Sequence, residues 1–224
     1  MKCKVHEAAG IIPAAFCFLG GEPVYRVQPI RDMEILNKCF EIARRHDRGR
    51  RNGEVSWELL LMIGFNTSLR ISDIQRLRVK DIRDQDYCEI KAKKTGKVAK
   101  ILINPAARRE LRRLLGGMHD NDYLIQSRVR DPAEHCRRAI TRQRAWQIMN
   151  AIAHAAGLKD HIGCHTLRKT FGYWYYKQTN DVVSLQRILG HTSRRDTLVY
   201  IGVIQEDIDE SLRHFNILAG RTKV

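Results

Sequence analysis

No apolar run in this sequence approaches the roughly 20 residues that a helix needs to span a bilayer. A helical membrane protein is therefore not expected. The nearest thing to a signal core, residues 11–20 (IIPAAFCFLG), is short and interrupted by Pro13. It reads as an apolar extension that packs on the domain or on a neighbour, and the expected location is the cytoplasm. The six cysteines, at 3, 17, 39, 88, 136 and 164, show no CxxC and no paired spacing. That argues against a disulfide framework and fits reduced thiols inside a cell. His161, Cys164 and His165 lie close together, but no second cluster completes a four-ligand set, so no metal is expected. Solenoid-type repeats are also missing. Acidic residues are scarce relative to basic ones, 25 against 40, for a formal charge of +15. The excess is spread along the chain rather than gathered in a tail. A folded basic surface for a polyanion, most simply nucleic acid, follows.

What is present reads as one large domain, mostly helical. Residues 1–27 lack a clear period and read as an extension or linker. Met33, Leu36, Phe40 and Ala43 then recur at helical spacing, with Pro29 suited to the first turn. Residues 44–52 (RRHDRGRRN) are expected to break that helix as a solvated loop. Residues 55–65 are apolar nearly all round, the mark of a buried central helix. Ile71, Ile74 and Leu77 mark a second helix with Arg70 at its start. An arginine flanked by buried helices needs an anion or carboxylate, and Asp73 is the expected partner. Residues 87–93 and 98–104 read as a hairpin around Gly96, its tip made basic by Lys93, Lys94, Lys97 and Lys100. Residues 122–126 (DYLIQ) are the expected third strand of that sheet. Asn104-Pro105 starts a helix stopped by Gly116-Gly117. Residues 141–156 form another, with Trp146, Met149, Ile152 and Ala153 inward and Gly157 as terminator.

The densest stretch runs from His165 to Tyr200. His165-Thr-Leu-Arg168 places two functional side chains at i and i+3, on one side of a helix. His191 follows Gly190, a glycine suited to ending a helix over residues 181–189. His191 therefore projects from a tight turn. Tyr200 lies nine positions on, along or just past another short helical run. The aromatics Tyr173, Trp174, Tyr175 and Tyr176 read as core packing rather than base stacking. Ile208, Leu212, Phe215 and Leu218 form the apolar stripe of a last helix, expected over residues 205–219.

Taken together, TSLRISDIQRL, the hairpin lysine, HTLR, LGH and the tyrosine resemble the tyrosine recombinase, or phage integrase, family, in its order and near its spacing. The resemblance runs over about residues 29–218. It implies an α+β, mostly α catalytic domain with a small three-stranded antiparallel sheet, over residues 28–220. The separate helical domain that usually precedes it in the family is not expected here, because about 28 residues lie before the first helix. It further implies that Arg70 and Arg168 clamp a scissile phosphate, that His165 takes a proton and that His191 adds a donor. Tyr200 would be the nucleophile, and Lys94 the acid that protonates the departing 5′ oxygen, with Lys93 and Lys97 as rivals. Two guanidiniums with paired donors suit the nonbridging oxygens, so no cofactor or metal is implied. The implied product is a covalent 3′-phosphotyrosyl DNA intermediate, exchanged without ATP. Double-stranded DNA and a homo-tetramer on paired DNA sites, joined through the C-terminal helix, are the implied partners; neither a membrane nor a small-molecule substrate is. Alternatives remain: relaxation of one duplex by the same chemistry, as in type IB topoisomerases, or a DNA-binding accessory or remnant protein that no longer reacts.

Overall fold

The computed structural model describes residues 27–50, 54–91, 93, 96, 98–133, 136–203 and 212–213. Helix α1 (Met33–Arg48) begins where the Asp32 carboxylate accepts hydrogen bonds from the amides of Glu34 and Ile35, at 2.7 and 3.3 Å. These bonds satisfy amides that have no partner within the helix. It runs on through the first five residues of the stretch expected to be a loop, to Arg48, and ends at Gly49. Charge alone does not stop a helix, and Asp47 near its end has its own task. Its carboxylate accepts from Ser56 Oγ and from the amides of Trp57 and Glu58, so it holds the start of α2 (Trp57–Asn66).

Helix α2 is the hub. Leu59, Leu60, Leu61 and Ile63 are all buried to within 1% of full coverage, so the helix is apolar on every side because it is surrounded. Its one buried carboxylate, Glu58, is met at 2.8 Å by both Arg44 of α1 and Arg113 of α4 (Pro105–Leu114). The next helix, α3, is a single turn (Ile71–Ile74), shorter than the pattern through Leu77 suggested. Leu77 is still buried, but its carbonyl accepts from the amide of Leu124 instead of continuing a helix.

Strands β1 (Tyr87–Lys91) and β2 (Val98–Leu102) form the expected antiparallel hairpin, in register Tyr87 to Leu102. The third strand does not join them. Tyr123 makes only an isolated bridge to Arg78, and β3 (Gln126–Arg130) pairs instead with β4 (Arg137–Ala139). The α+β, mostly helical architecture is as expected, but its sheet is two separate two-stranded pieces among the described residues. The DYLIQ segment misled because Leu124 and Ile125 are apolar for core packing, not for sheet pairing.

Helix α5 (Arg142–Ala156) is capped by Thr141 and ended by left-handed Gly157. Trp146, expected inward, is half exposed, whereas Ile148, Met149 and Ile152 are buried. Helices α6 (Cys164–Thr179), α7 (Val182–Leu189) and α8 (Arg194–Ile201) close the fold. They share a smaller apolar cluster of Tyr173, Leu185, Leu189, Ile201 and Val203. Tyr173 is therefore core, as the helical reading of the aromatic run required. Trp174 Nε1 donates to the Ile30 carbonyl at 3.0 Å and the Ile30 amide to Thr170 Oγ1 at 2.9 Å, which straps residues 28–31 along α6. Among the described residues, no helix is long and apolar enough to cross a membrane. The expected helix over residues 205–219 lies outside the described residues, apart from Leu212 and Arg213.

Candidate active site

Arg168 sits at the centre of the site because its backbone lies in the second turn of α6, against the core. The side chain is 5% exposed and pairs directly with no carboxylate among the described residues; its Nη1 donates to the carbonyl of Ser68 and its Nη2 to that of Leu189. Ser68 belongs to the loop that leads from α2 into Arg70, and Ser68 Oγ donates to the Ile188 carbonyl at 3.3 Å. Leu189 is the last residue of α7, one before Gly190. The guanidinium thus pins two segments that are about 120 residues apart in sequence, the one that delivers Arg70 and the one that delivers His191. Its hydrogen-bond acceptors are neutral, and Asp73 offsets its positive charge only through space. Burial, and then Arg70 beside it, pulls its pKa below the usual guanidinium value.

Arg70 is the N-cap residue of α3, in extended conformation, with the rest of the turn folded behind it. The expected Asp73 contact is absent. Asp73 is buried, accepts from the Lys93 amide at 2.9 Å and stands 4.0 Å from Arg76. It ties the hairpin to α3 and leaves the Arg70 guanidinium to its neighbours in the site. Arg70 and Arg168 both line a cleft of about 860 Å³ whose other walls include Phe65, Tyr87, Trp174 and Ile188. A separate cavity of about 470 Å³, walled by Arg50, Glu54, Cys136 and Arg137 among others, contains none of the motif residues.

His165 occupies the first turn of α6, one turn before Arg168. Partial burial and then Arg142, Arg168, Lys169 and Arg70 hold its pKa below the ordinary imidazole value, although the side chain still reaches solvent. It is therefore neutral at pH 7, with a ring nitrogen free to take a proton. The start of α6 is fixed by Thr166, whose hydroxyl accepts from the Gly163 amide and donates to the Gln28 carbonyl.

His191 projects from the turn predicted for it. Gly190 is left-handed at φ 62°, and the His191 amide closes the turn on the Gln186 carbonyl at 3.0 Å. Its ring meets that of Tyr200 edge to face, centroids 4.9 Å apart. Burial, then Arg168 and Arg70, lowers its pKa as well. Tyr200 lies in the last turn of α8, with Lys169 Nζ 5.0 Å from its ring centre. The Tyr200 hydroxyl is buried and has no hydrogen-bond partner among the described residues. Arg168 stands beside it, short of hydrogen-bond geometry but near enough for its charge to favour the phenolate. Burial outweighs that pull, so the phenol pKa is raised and the resting group is neutral.

Arg70, His165, Arg168, His191 and Tyr200 are therefore drawn from four separate segments into one electrostatic neighbourhood. Lys94, with Lys97, lies outside the described residues. Of its neighbours in the hairpin, Lys93 gives its amide to Asp73 and Lys100 pairs with Glu89 at 2.8 Å. Three contributors escaped the sequence reading: Ser68, which acts through its carbonyl; Lys169, whose only signal was its place after Arg168; and Thr197, which touches His191.

The family model described as "Phage integrase family" matches residues 36–206. A probable integrase/recombinase from Bacillus subtilis strain 168, YoeC, is 37% identical over 195 residues, covering 87% of this chain and 98% of that protein. The tyrosine recombinase XerA of Pyrococcus furiosus is 25% identical over 163 residues, covering 71% of this chain and 54% of XerA. Among solved structures, the XerH site-specific recombinase in a post-cleavage complex with palindromic difH substrate superposes with a TM-score of 0.60 at 20% identity. That match covers 84% of this chain and 53% of XerH. The catalytic core of lambda integrase gives 0.53 at 22% identity, covering 74% of this chain and 92% of the core. The chain thus spans nearly all of YoeC but about half the length of the Xer proteins.

Proposed function

This chain belongs to the phage integrase family, and from that membership we propose that it is a site-specific DNA recombinase working through a tyrosine nucleophile. The observation that carries the reading is the position of Arg168: its direct partners are neutral carbonyls, it is locked between the Arg70 loop and the His191 turn, and it stands beside a buried tyrosine hydroxyl. A buried arginine held by carbonyls is a receptor for an anion. The solved structures of XerH on difH and of lambda integrase on its core site support DNA as that anion.

In the proposed reaction a phosphodiester enters between Arg70 and Arg168, whose planar donors meet its two nonbridging oxygens. As Tyr200 Oη attacks phosphorus, negative charge builds on those oxygens, and two fixed guanidiniums neutralise it without a bound metal. The phenol must lose its proton as it attacks. His165, neutral and solvent-reaching, takes it. The bond to the 5′ oxygen breaks, Lys94 supplies a proton to that oxygen, and a 3′-phosphotyrosyl linkage remains. Attack by a 5′-hydroxyl of another strand reverses these steps and rejoins DNA without ATP. The tetramer on a Holliday junction formed by lambda integrase supports the same assembly here, with the segment beyond α8 as the link between protomers. A cytoplasmic, DNA-associated protein is the matching location.

The test is a duplex nicked beside the cleavage position, so that the freed 5′-hydroxyl fragment diffuses away and the covalent adduct is trapped. A denaturing gel should show a protein–DNA band, without divalent metal, that vanishes in Tyr200→Phe. Clear DNA binding with no adduct across a library of sites would favour an accessory or remnant role instead.

A further inference from the structure

The Thr197 side chain is fully buried on α8, with its hydroxyl between two partners. Oγ1 lies 2.9 Å from the Ser193 carbonyl and 3.2 Å from Nδ1 of His191. A hydroxyl has one proton, and a carbonyl is only an acceptor. The proton therefore points at Ser193; turned toward the imidazole, it would leave two oxygens facing each other at 2.9 Å with nothing between. Toward His191, Oγ1 offers lone pairs alone. The contact is a hydrogen bond only when Nδ1 carries the imidazole proton.

We propose that Thr197 is a positioning residue that fixes neutral His191 as its Nδ1–H tautomer, so that Nε2 meets the DNA phosphate as a bare lone pair and donates to it only after taking up a proton. This rests on the reading of His191 as a phosphate contact. The charged and titratable groups facing the ring are Arg168 of α6, Arg70 before α3, and Asp196 and Tyr200 of α8. Without DNA, burial and then the two guanidiniums keep the imidazole uncharged. An anion seated between them offsets their charge and favours the imidazolium, whose Nε2–H then donates. Phosphate capture and proton uptake become one event, with the proton drawn from solvent. Before DNA arrives, no charge is stored on His191.

The experiment is a long-range proton–nitrogen correlation spectrum of the histidine-labelled whole protein without DNA, at pH 7.5, with the His191 signal assigned from His191→Gln. Wild type and Thr197→Ser should show Nδ1 protonated and Nε2 bare. Thr197→Val has nearly the same shape but no acceptor, and should move the tautomer ratio toward Nε2–H by roughly an order of magnitude. An unchanged amide spectrum for the Val variant checks that α8 keeps its place. A wild-type His191 in the Nε2–H form would overturn the proposal, and so would a ratio indifferent to Val. The free protein is measured, so failure here leaves the covalent-adduct test untouched, and failure there leaves the tautomer result standing.

Discussion

Ile201 seats its Cγ2 methyl against the bare Cα of Gly172: a Cβ at position 172 would lie 2.8 Å from it. Leu185 and Leu189 crowd the same point from α7, 3.8 and 3.6 Å from that position. Three helices therefore converge on one glycine, and Ile201 directly follows Tyr200. Alanine is the better helix former, by about 1 kcal/mol, but Cγ2 of a β-branched residue cannot swing away. Gly172→Ala should push α8 outward and lower stability by roughly 1–3 kcal/mol. It should slow adduct formation more than that loss explains, because Tyr200 moves with α8. Adding Ile201→Ala removes the offending methyl and should recover part of the rate; a double variant no faster than Gly172→Ala would separate Tyr200 placement from this contact.

Arg168→Lys tests the clamp. Lysine keeps the charge but has one ammonium, which cannot reach the Ser68 and Leu189 carbonyls while also meeting a phosphate. Adduct formation should fall by about 10²–10³, the range for losing one fixed donor to a developing oxyanion. Urea denaturation should also show lower stability, since a carbonyl loses its partner in the core. Equal loss of DNA affinity and cleavage would indicate ground-state binding instead.

Buried thiols give a check on the core. Burial pushes Cys39 up to about 11 and Cys88 up to about 12, so neither forms thiolate at pH 8. Cys164 is raised in the same way, whereas Cys136 is only half-buried. Brief iodoacetamide treatment followed by peptide mass mapping should modify Cys136 well ahead of Cys39 and Cys88, which react only in denaturant. Early modification of Cys88 would mean that β1 does not pack as described.

The elements legible in the sequence were those that carry their own local signal. Asn104, Thr141, Gly157 and Gly190 mark helix ends that need no tertiary partner, and each falls where expected, whereas α1 starts at Met33 behind Asp32 and not in a turn containing Pro29. The site motifs were legible because the chemistry restricts their residue types. What stayed hidden depends on contacts far apart in the chain. Trp146 fits the inward period of α5, yet half of its surface is exposed. Asp73 is only three residues from Arg70 in sequence, but the Lys93 amide claims it from 20 residues away. Gly64 within the apolar α2 owes its place to Leu167, whose Cδ2 would lie 2.7 Å from a Cβ at that position. The split sheet has the same origin, since apolar residues that fill a core look like those that pair in a sheet.

The two site histidines predict how stability responds to acid. Both have folded pKa values below the ordinary 6.5, chiefly from burial and then from nearby cations. Above that value neither state holds the proton, and the histidines contribute no pH dependence. As pH falls through about 6.5 the unfolded chain protonates first, while the folded imidazoles stay neutral. The unfolded state then binds more protons, so unfolding free energy drops as pH falls. Urea midpoints should decline from pH 7.5 to 5.5, and His165→Gln with His191→Gln should flatten that decline. Bound DNA reverses the sign at His191, because an anion between Arg70 and Arg168 favours the imidazolium. Stabilisation by saturating duplex should therefore be larger at pH 5.5 than at 7.5, after matching ionic strength, and His191→Gln should remove the difference. A pH dependence of the free protein identical in wild type and the double variant would show that these rings titrate as they do in the unfolded chain.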